Sequence, residues 1–207
     1  LGSYRGRVGT LVRDAVTYTV SGRSGSSATL TPSPASGCLN TGDEILLINV
    51  QGAPGKWVNA GRFEFLHVGG VIGNTLYFNT PKNGFYGDSV DQDDNIGVYA
   101  SNQRVLVMRV PNYDNVTVNG TLTGSVSGMI VFRLQGTLSG SGVIHADELG
   151  WLGGAGGSGS GRGETGQGFG PGAGWYDSSY APSNGGHAGH LTQGANAADG
   201  TDADGVF

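Results

Sequence analysis

The chain has 207 residues, 41 of them Gly, and only 13% are charged, for a net charge of −5. Its 11 basic residues form no Lys/Arg cluster, which excludes a nucleic-acid footprint, and its longest apolar runs, such as Glu44 to Val50, are too short to span a bilayer. A single cysteine, Cys38, excludes an intramolecular disulfide framework.

The length suits one long domain, or a domain of about 150 residues with an appendage. Leu1-Gly2-Ser3 does not resemble a signal peptide and reads as the start of a mature chain, although a trimmed chain would begin the same way. Strand and turn signals then alternate at roughly 8–12-residue spacing, which predicts an all-β sandwich or barrel-like domain over residues 1–110. Val16, Tyr18 and Val20 alternate with Thr17 and Thr19 as a half-buried strand. Cys38 reads as a small buried or loop thiol, with a bridge between copies as the alternative. Asn40-Thr41-Gly42-Asp43 carries turn chemistry, and Glu44 to Val50 follows as a buried strand. From Arg62 to Val68, Phe63, Phe65 and His67 share one side of a strand; His67 reads as a satisfied core histidine. Gly73-Asn74 supplies the positive φ of a tight hairpin before Thr75 to Phe78. Asp91-Gln92-Asp93-Asp94-Asn95 is a polar loop tip or, less simply, a calcium site. Ile96–Ala100 and Arg104–Val110 are two further predicted strands, the last ended by Pro111. No helix is expected before residue 145.

Residues 111–150 are predicted to form β-solenoid-like or meander strands. Gly120-Thr121-Leu122-Thr123-Gly124-Ser125 recurs sixteen residues on as Gly136-Thr137-Leu138-Ser139-Gly140-Ser141. Gly at corners with alternate apolar residues suits stacked coils, while a plain antiparallel meander explains the same letters. Asn115-Val116-Thr117 and Asn119-Gly120-Thr121 match a glycosylation acceptor, a match that this composition produces by chance.

Residues 151–207 form a glycine-rich tail, 18 of 57 residues being Gly, without the Gly-X-Y period of collagen. Its aromatic cluster, Trp175, Tyr176 and Tyr180, offers rigid contact area for a partner, for the tail's own β-domain or for a sugar ring. Asp199, Asp202 and Asp204 are spaced as in a calcium loop, but no later bidentate Glu follows, and a solvated acidic turn is the plainer reading. His187 and His190 lack a third ligand. His145 beside Asp147 and Glu148 is an acid/base candidate that also reads as a strand end.

Several segments fall in a recognisable order: Thr41-Gly42-Asp43-Glu44-Ile45-Leu46-Leu47-Ile48, Gly73-Asn74-Thr75-Leu76 and Val107-Met108-Arg109-Val110-Pro111. Val116-Thr117-Val118-Asn119-Gly120-Thr121-Leu122 and Gly150-Trp151-Leu152-Gly153-Gly154 follow them. Over residues 10 to 155 this order resembles the amino-terminal module of glycine-rich secreted surface proteins of environmental bacteria, of the adventurous-gliding-motility type. The resemblance implies a cell-surface or extracellular location and brings no catalytic residues.

No nucleophile elbow, zinc helix or phosphate-binding loop is present, so the chain is expected not to be an enzyme and to need no cofactor, calcium apart. The expected role is an extracellular structural protein that self-associates through strand edges and the tail, as a filament, sheath or surface-layer subunit. A cell-surface adhesin or carbohydrate-binding module meeting a surface glycan is the alternative. A polysaccharide-active β-helix enzyme comes third, because Asp147 and Glu148 are adjacent rather than facing across a groove.

Overall fold

The computed structural model describes residues 15–53, 56, 58–99, 102–124 and 129–146. Among them there is no helix, and the first six strands are β1 (Thr17–Arg23), β2 (Ser27–Thr31), β3 (Glu44–Gln51), β4 (Phe63–Ile72), β5 (Thr75–Phe78) and β6 (Arg104–Arg109). They close a barrel in the order β1-β2-β5-β4-β3-β6. The all-β expectation therefore holds, in its barrel form. Closure matters because it pairs both edges of every strand, removing the backbone groups that an open sheet would offer to a neighbour.

Two bulges bend the strands for that closure. The β1–β2 register shifts between Val20 and Gly22, and the β4–β5 register between Val68 and Gly70. Bulges increase local twist and let a sheet curl. Gly69, in the second bulge, passes so close to Phe78 that a Cβ would sit 3.1 Å from its carbonyl carbon and oxygen. The β4–β5 turn is the hairpin expected at Gly73-Asn74, with Gly73 at φ 61°.

Two compact units share these strands. Among the described residues, the first draws on 15–47, 64–83 and 106–146, the second on 48–63 and 84–105. In the first, period-two alternation buries Val20, Ala28, Leu30, Ile45, Leu47, Leu66, Val68, Leu76 and Val107. Each buried Val, Leu or Ile side chain contributes roughly 1.5–3 kcal/mol. In the second, the fully buried positions include the amides Asn49, Asn59 and Gln103 beside Tyr86 and Val105, a core of mixed polarity.

Two expectations fail in this region. The strand expected at Ile96–Ala100 is not formed over its described residues, 96–99: Ile96 makes an isolated bridge to Gln103, and the chain there is held by a few backbone bonds and by side chains. His67 is not a core residue, because it is exposed along with Phe63 and Phe65; the inward residues of β4 are Leu66 and Val68. The alternation is read correctly, but the apolar aromatic side faces outward. One strand, β2, carries no strong signal, since Ser27-Ala28-Thr29-Leu30-Thr31 follows a Gly/Ser-rich turn.

Beyond Pro111 the strands are β7 (Asn112–Tyr113), β8 (Val116–Thr117), β9 (Thr121–Thr123), β10 (Arg133–Leu134), β11 (Leu138–Ser139) and β12 (Val143–His145). They pair two by two, all in parallel: β10 on β7, β11 on β8, β12 on β9. Two turns of chain thus lie one over the other, whereas a meander would pair its strands antiparallel. The stacked residues, Arg133 on Asn112, Leu138 on Val116 and Val143 on Thr121, are 21 or 22 apart, not sixteen. The repeated letters around Gly120 and Gly136 therefore do not mark the structural repeat. The glycines of the second turn are needed for contact: a Cβ on Gly140 would strike Val118 O, and one on Gly142 would strike Gly120 O.

Gly142→Ala is expected to destabilise the ladder by roughly 1–3 kcal/mol, the usual cost of forcing atoms into packed space, while the exposed neighbour Ser141→Ala changes little. Limited proteolysis within 129–146, with thermal unfolding of both variants, checks this.

Candidate functional site

The turn Asn40–Asp43 delivers two successive carboxylates to the start of β3. Asp43 Oδ2 accepts the Asn40 amide at 2.8 Å and pairs with Arg109 Nε at 3.1 Å, both side chains being almost fully buried. Burial pushes the Arg109 guanidinium below its ordinary pKa. Glu44 sits under the ladder. Its Oε1 and Oε2 accept Arg133 Nε at 2.7 and 2.8 Å, Arg133 Nη2 adds 2.6 Å, and Asn112 Nδ2 donates at 3.1 Å. The same Arg133 guanidinium lies 4.6 Å over the Phe65 ring, a cation–π contact on an outward strand face. Burial alone would raise the Glu44 carboxyl; the hydrogen bonds from Arg133 and Asn112, with the nearby His67, outweigh it and hold Glu44 below its ordinary value. This carboxylate joins both ladder turns, through Asn112 and Arg133, to β3.

The ladder itself carries two surfaces. One is a groove of about 850 Å³ lined by Tyr113, Val116, Val118, Leu122, Ile130 and Phe132, among others, with Tyr113 and Phe132 edge to face at 6.1 Å. The other is the outer turn, β10 to β12, where Leu138, Val143 and Ile144 are 49%, 58% and 39% exposed. Each ladder sheet has two strands, so among the described residues no third strand follows. Side chains reinforce the stacking: Asn115 Oδ1 accepts the Thr137 amide at 2.8 Å, and Thr117 and Ser139 hydroxyls meet at 3.2 Å.

In the second unit the long connection from β5 to β6 is fixed by amides and carboxylates. Asn49 Nδ2 donates to Tyr86 O and Gln103 Oε1, and Gln103 Nε2 donates to Lys56 O. Asn59 Nδ2 reaches Gly87 O and Ser89 O. Two carboxylates of the acidic run bind nearby backbone: Asp93 Oδ1 accepts the Tyr86 amide and Asp94 Oδ1 the Asp88 amide. Lys56 Nζ meets Asp88 Oδ2 at 3.0 Å, which together with Asn95 holds the Asp88 carboxyl below its ordinary value against the opposing effect of burial. Among the described residues no three His, Cys, Asp or Glu side chains converge as metal ligands. Asn95, at φ 51°, turns the chain so that its Oδ1 accepts from Asn102 at 2.6 Å.

The sequence candidates scatter. Trp175, Tyr176, Tyr180, His187, His190, Asp199, Asp202 and Asp204 all lie outside the described residues, as do Asp147 and Glu148. His145 ends β12. Cys38 is buried, as its plainer reading expects, and burial together with a hydrogen bond to Cys38 pushes Tyr18 up to about 12. Sequence reasoning missed Glu44, Arg133 and Arg109, three charges in a charge-poor chain, each beside or within a strand. No family model matches the chain, and no curated protein or solved structure matches it.

A group whose folded pKa lies below its unfolded value stabilises the fold above the unfolded value, and that contribution is lost as pH falls through the folded one. Glu44, ordinarily at 4.5 and lowered here, should therefore stabilise the chain at pH 7 and cease to do so on acidification. Thermal midpoints from pH 7 to 3 should fall less steeply for Glu44→Gln, with the two proteins converging at the acid end. Parallel curves would contradict this.

Proposed function

We propose that this chain is an extracellular structural protein that associates with copies of itself, as a subunit of a filament, sheath or surface layer. The observation that carries the reading is the outer ladder turn: among the described residues a parallel edge ending in two-stranded sheets, with Leu138, Val143 and Ile144 exposed. An edge of this kind offers a row of backbone donors and acceptors to an added strand, and apolar side chains on it add buried area once covered. Barrel closure narrows the proposal, since the barrel strands have no edges to give and the ladder alone supplies them among the described residues. Low charge favours the same reading, because a net −5 over 207 residues opposes lateral packing only weakly. Nothing in the reading calls for catalysis or a cofactor.

Light scattering and electron microscopy of the purified chain are expected to show particles larger than one chain, ordered as fibres or sheets. The double variant Val143→Lys and Ile144→Lys places charge on the edge and should yield a monomer with an unchanged barrel by circular dichroism. A wild-type chain that stays monomeric at high concentration, or a double variant that assembles normally, would defeat the proposal.

A further inference from the structure

The connection between β5 and β6 is longer than the roughly 12–15 residues beyond which loops tend to be functional, and over its described residues side chains add to a few backbone bonds in holding it. Asn95 bonds both Asp88 and Asn102, Asn102 Oδ1 accepts the Tyr99 amide at 3.2 Å, and Arg104 holds Val98 O. Lys56 and Asn59 tie the segment 56–59 to Asp88 and Ser89. These bonds gather three loop tips into one cluster, and each tip turns an apolar side chain to solvent: Val58 at 50%, Val90 at 62%, Val98 at 43% and Tyr99 at 74% exposed. Between them Asp91, Gln92, Asp94 and Asn95 are also exposed. Apolar groups that arrive singly, separated by carboxylates and amides, do not make the continuous dry core of a protein interface. They match a partner whose own surface alternates C–H faces with hydroxyl edges.

We propose that this loop cluster, centred on Tyr99, binds a neutral polysaccharide. The Tyr99 ring stacks on the C–H face of a sugar ring, an amphipathic surface suited to an aromatic side chain. Asp91 and Gln92 accept from or donate to the flanking hydroxyls. The polar scaffold beneath fixes the loops in advance, which lowers the entropic cost of binding. The exposed carboxylates Asp91 and Asp94 face solvent, while Lys56 and Arg104 are engaged within the cluster; polyanionic chains are therefore disfavoured.

The test is retention of the full chain on insoluble cellulose, chitin and curdlan, with dextran sulfate as the polyanion control. The wild type should bind at least one neutral polymer and not the polyanion. Tyr99→Ala should weaken binding about tenfold, Tyr99→Trp should keep it, and the Val143→Lys, Ile144→Lys variant should bind as the wild type does. That last arm separates this site from self-association. Failure to bind any of the three polymers overturns the proposal, as does unchanged binding by Tyr99→Ala. A fall in particle mass on Tyr99→Ala also overturns it and assigns the cluster to protein docking. Tyr99 is exposed enough that its variants are expected to keep the wild-type thermal midpoint, measured alongside.

Discussion

Much of the first unit depends on the pair of carboxylates at the head of β3. Asp43 faces Arg109 in a nearly dry environment, and Glu44, one residue on, faces Arg133 from the ladder. Removing one partner of the buried Asp43–Arg109 pair is costly, on the order of 3–5 kcal/mol, because the other charge is stranded. The consequence is positional. Arg109 ends β6, and the next amide, Val110 N, donates to Glu44 O at 2.8 Å. β6 therefore cannot slip along β3 without separating both the ladder bond and the ion pair. Pro111 then stops the strand, Asn112 contacts Glu44 again, and the second ladder turn returns Arg133 to the same carboxylate. A chain with few charges has used four of them to fix where a ladder begins.

The second unit solves a different problem with different chemistry. Its long connection has no sheet ladder to satisfy its backbone, and buried backbone groups must find partners. Asn49, Asn59 and Gln103 supply them from within, and Asp93 and Asp94 supply them from the loop itself. Such a network yields less net stability than an apolar core of equal volume, since each bond largely replaces one made to water. It gives geometry instead: amide and carboxylate bonds are directional, so they specify one loop conformation where packing alone would permit several. Rigid loops bearing exposed side chains follow from that exchange.

What the sequence disclosed divides along the same line. Period-two alternation marks strands whose burial is apolar, so β1, β3, β4, β5 and β6 were all legible. Alternation gives the two faces of a strand but not which faces inward, and the aromatic side of β4, with His67, turned out to be the outer one. β2 stayed hidden because Ser and Thr are as much at home in turns as in strands. Asn49 stands within a run that reads as simply buried, and its role depends on Gln103, 54 residues away. No local pattern can report such a partner. The same limit applies to Glu44 and Arg133. The repeat misled for a related reason: identical letters at sixteen residues reflect a shared composition of Gly, Thr, Leu and Ser. Stacking instead selects backbone position, matching Val116 with Leu138 and Leu122 with Ile144.

The abundance of glycine reads differently once those positions are known. Glycine costs conformational entropy on folding and is commonly taken as a sign of looseness. At Gly136, Gly140 and Gly142 the second ladder turn passes so near Asn115, Asp114, Val118 and Gly120 that no side chain fits. There the residue is required by proximity, and the entropy lost is offset by backbone hydrogen bonds such as Gly142 N to Val118 O. A ladder made this way presents little side-chain bulk on its inner corners, and its outer turn carries exposed apolar groups and, among the described residues, no third strand. Among the described residues, barrel closure leaves the other sheet without an edge. Among the described residues the open strand edges thus lie in one short element, whose two turns both reach the Glu44 carboxylate. Loss of the Glu44–Arg133 contact would disturb the placement of that element before it disturbed the barrel.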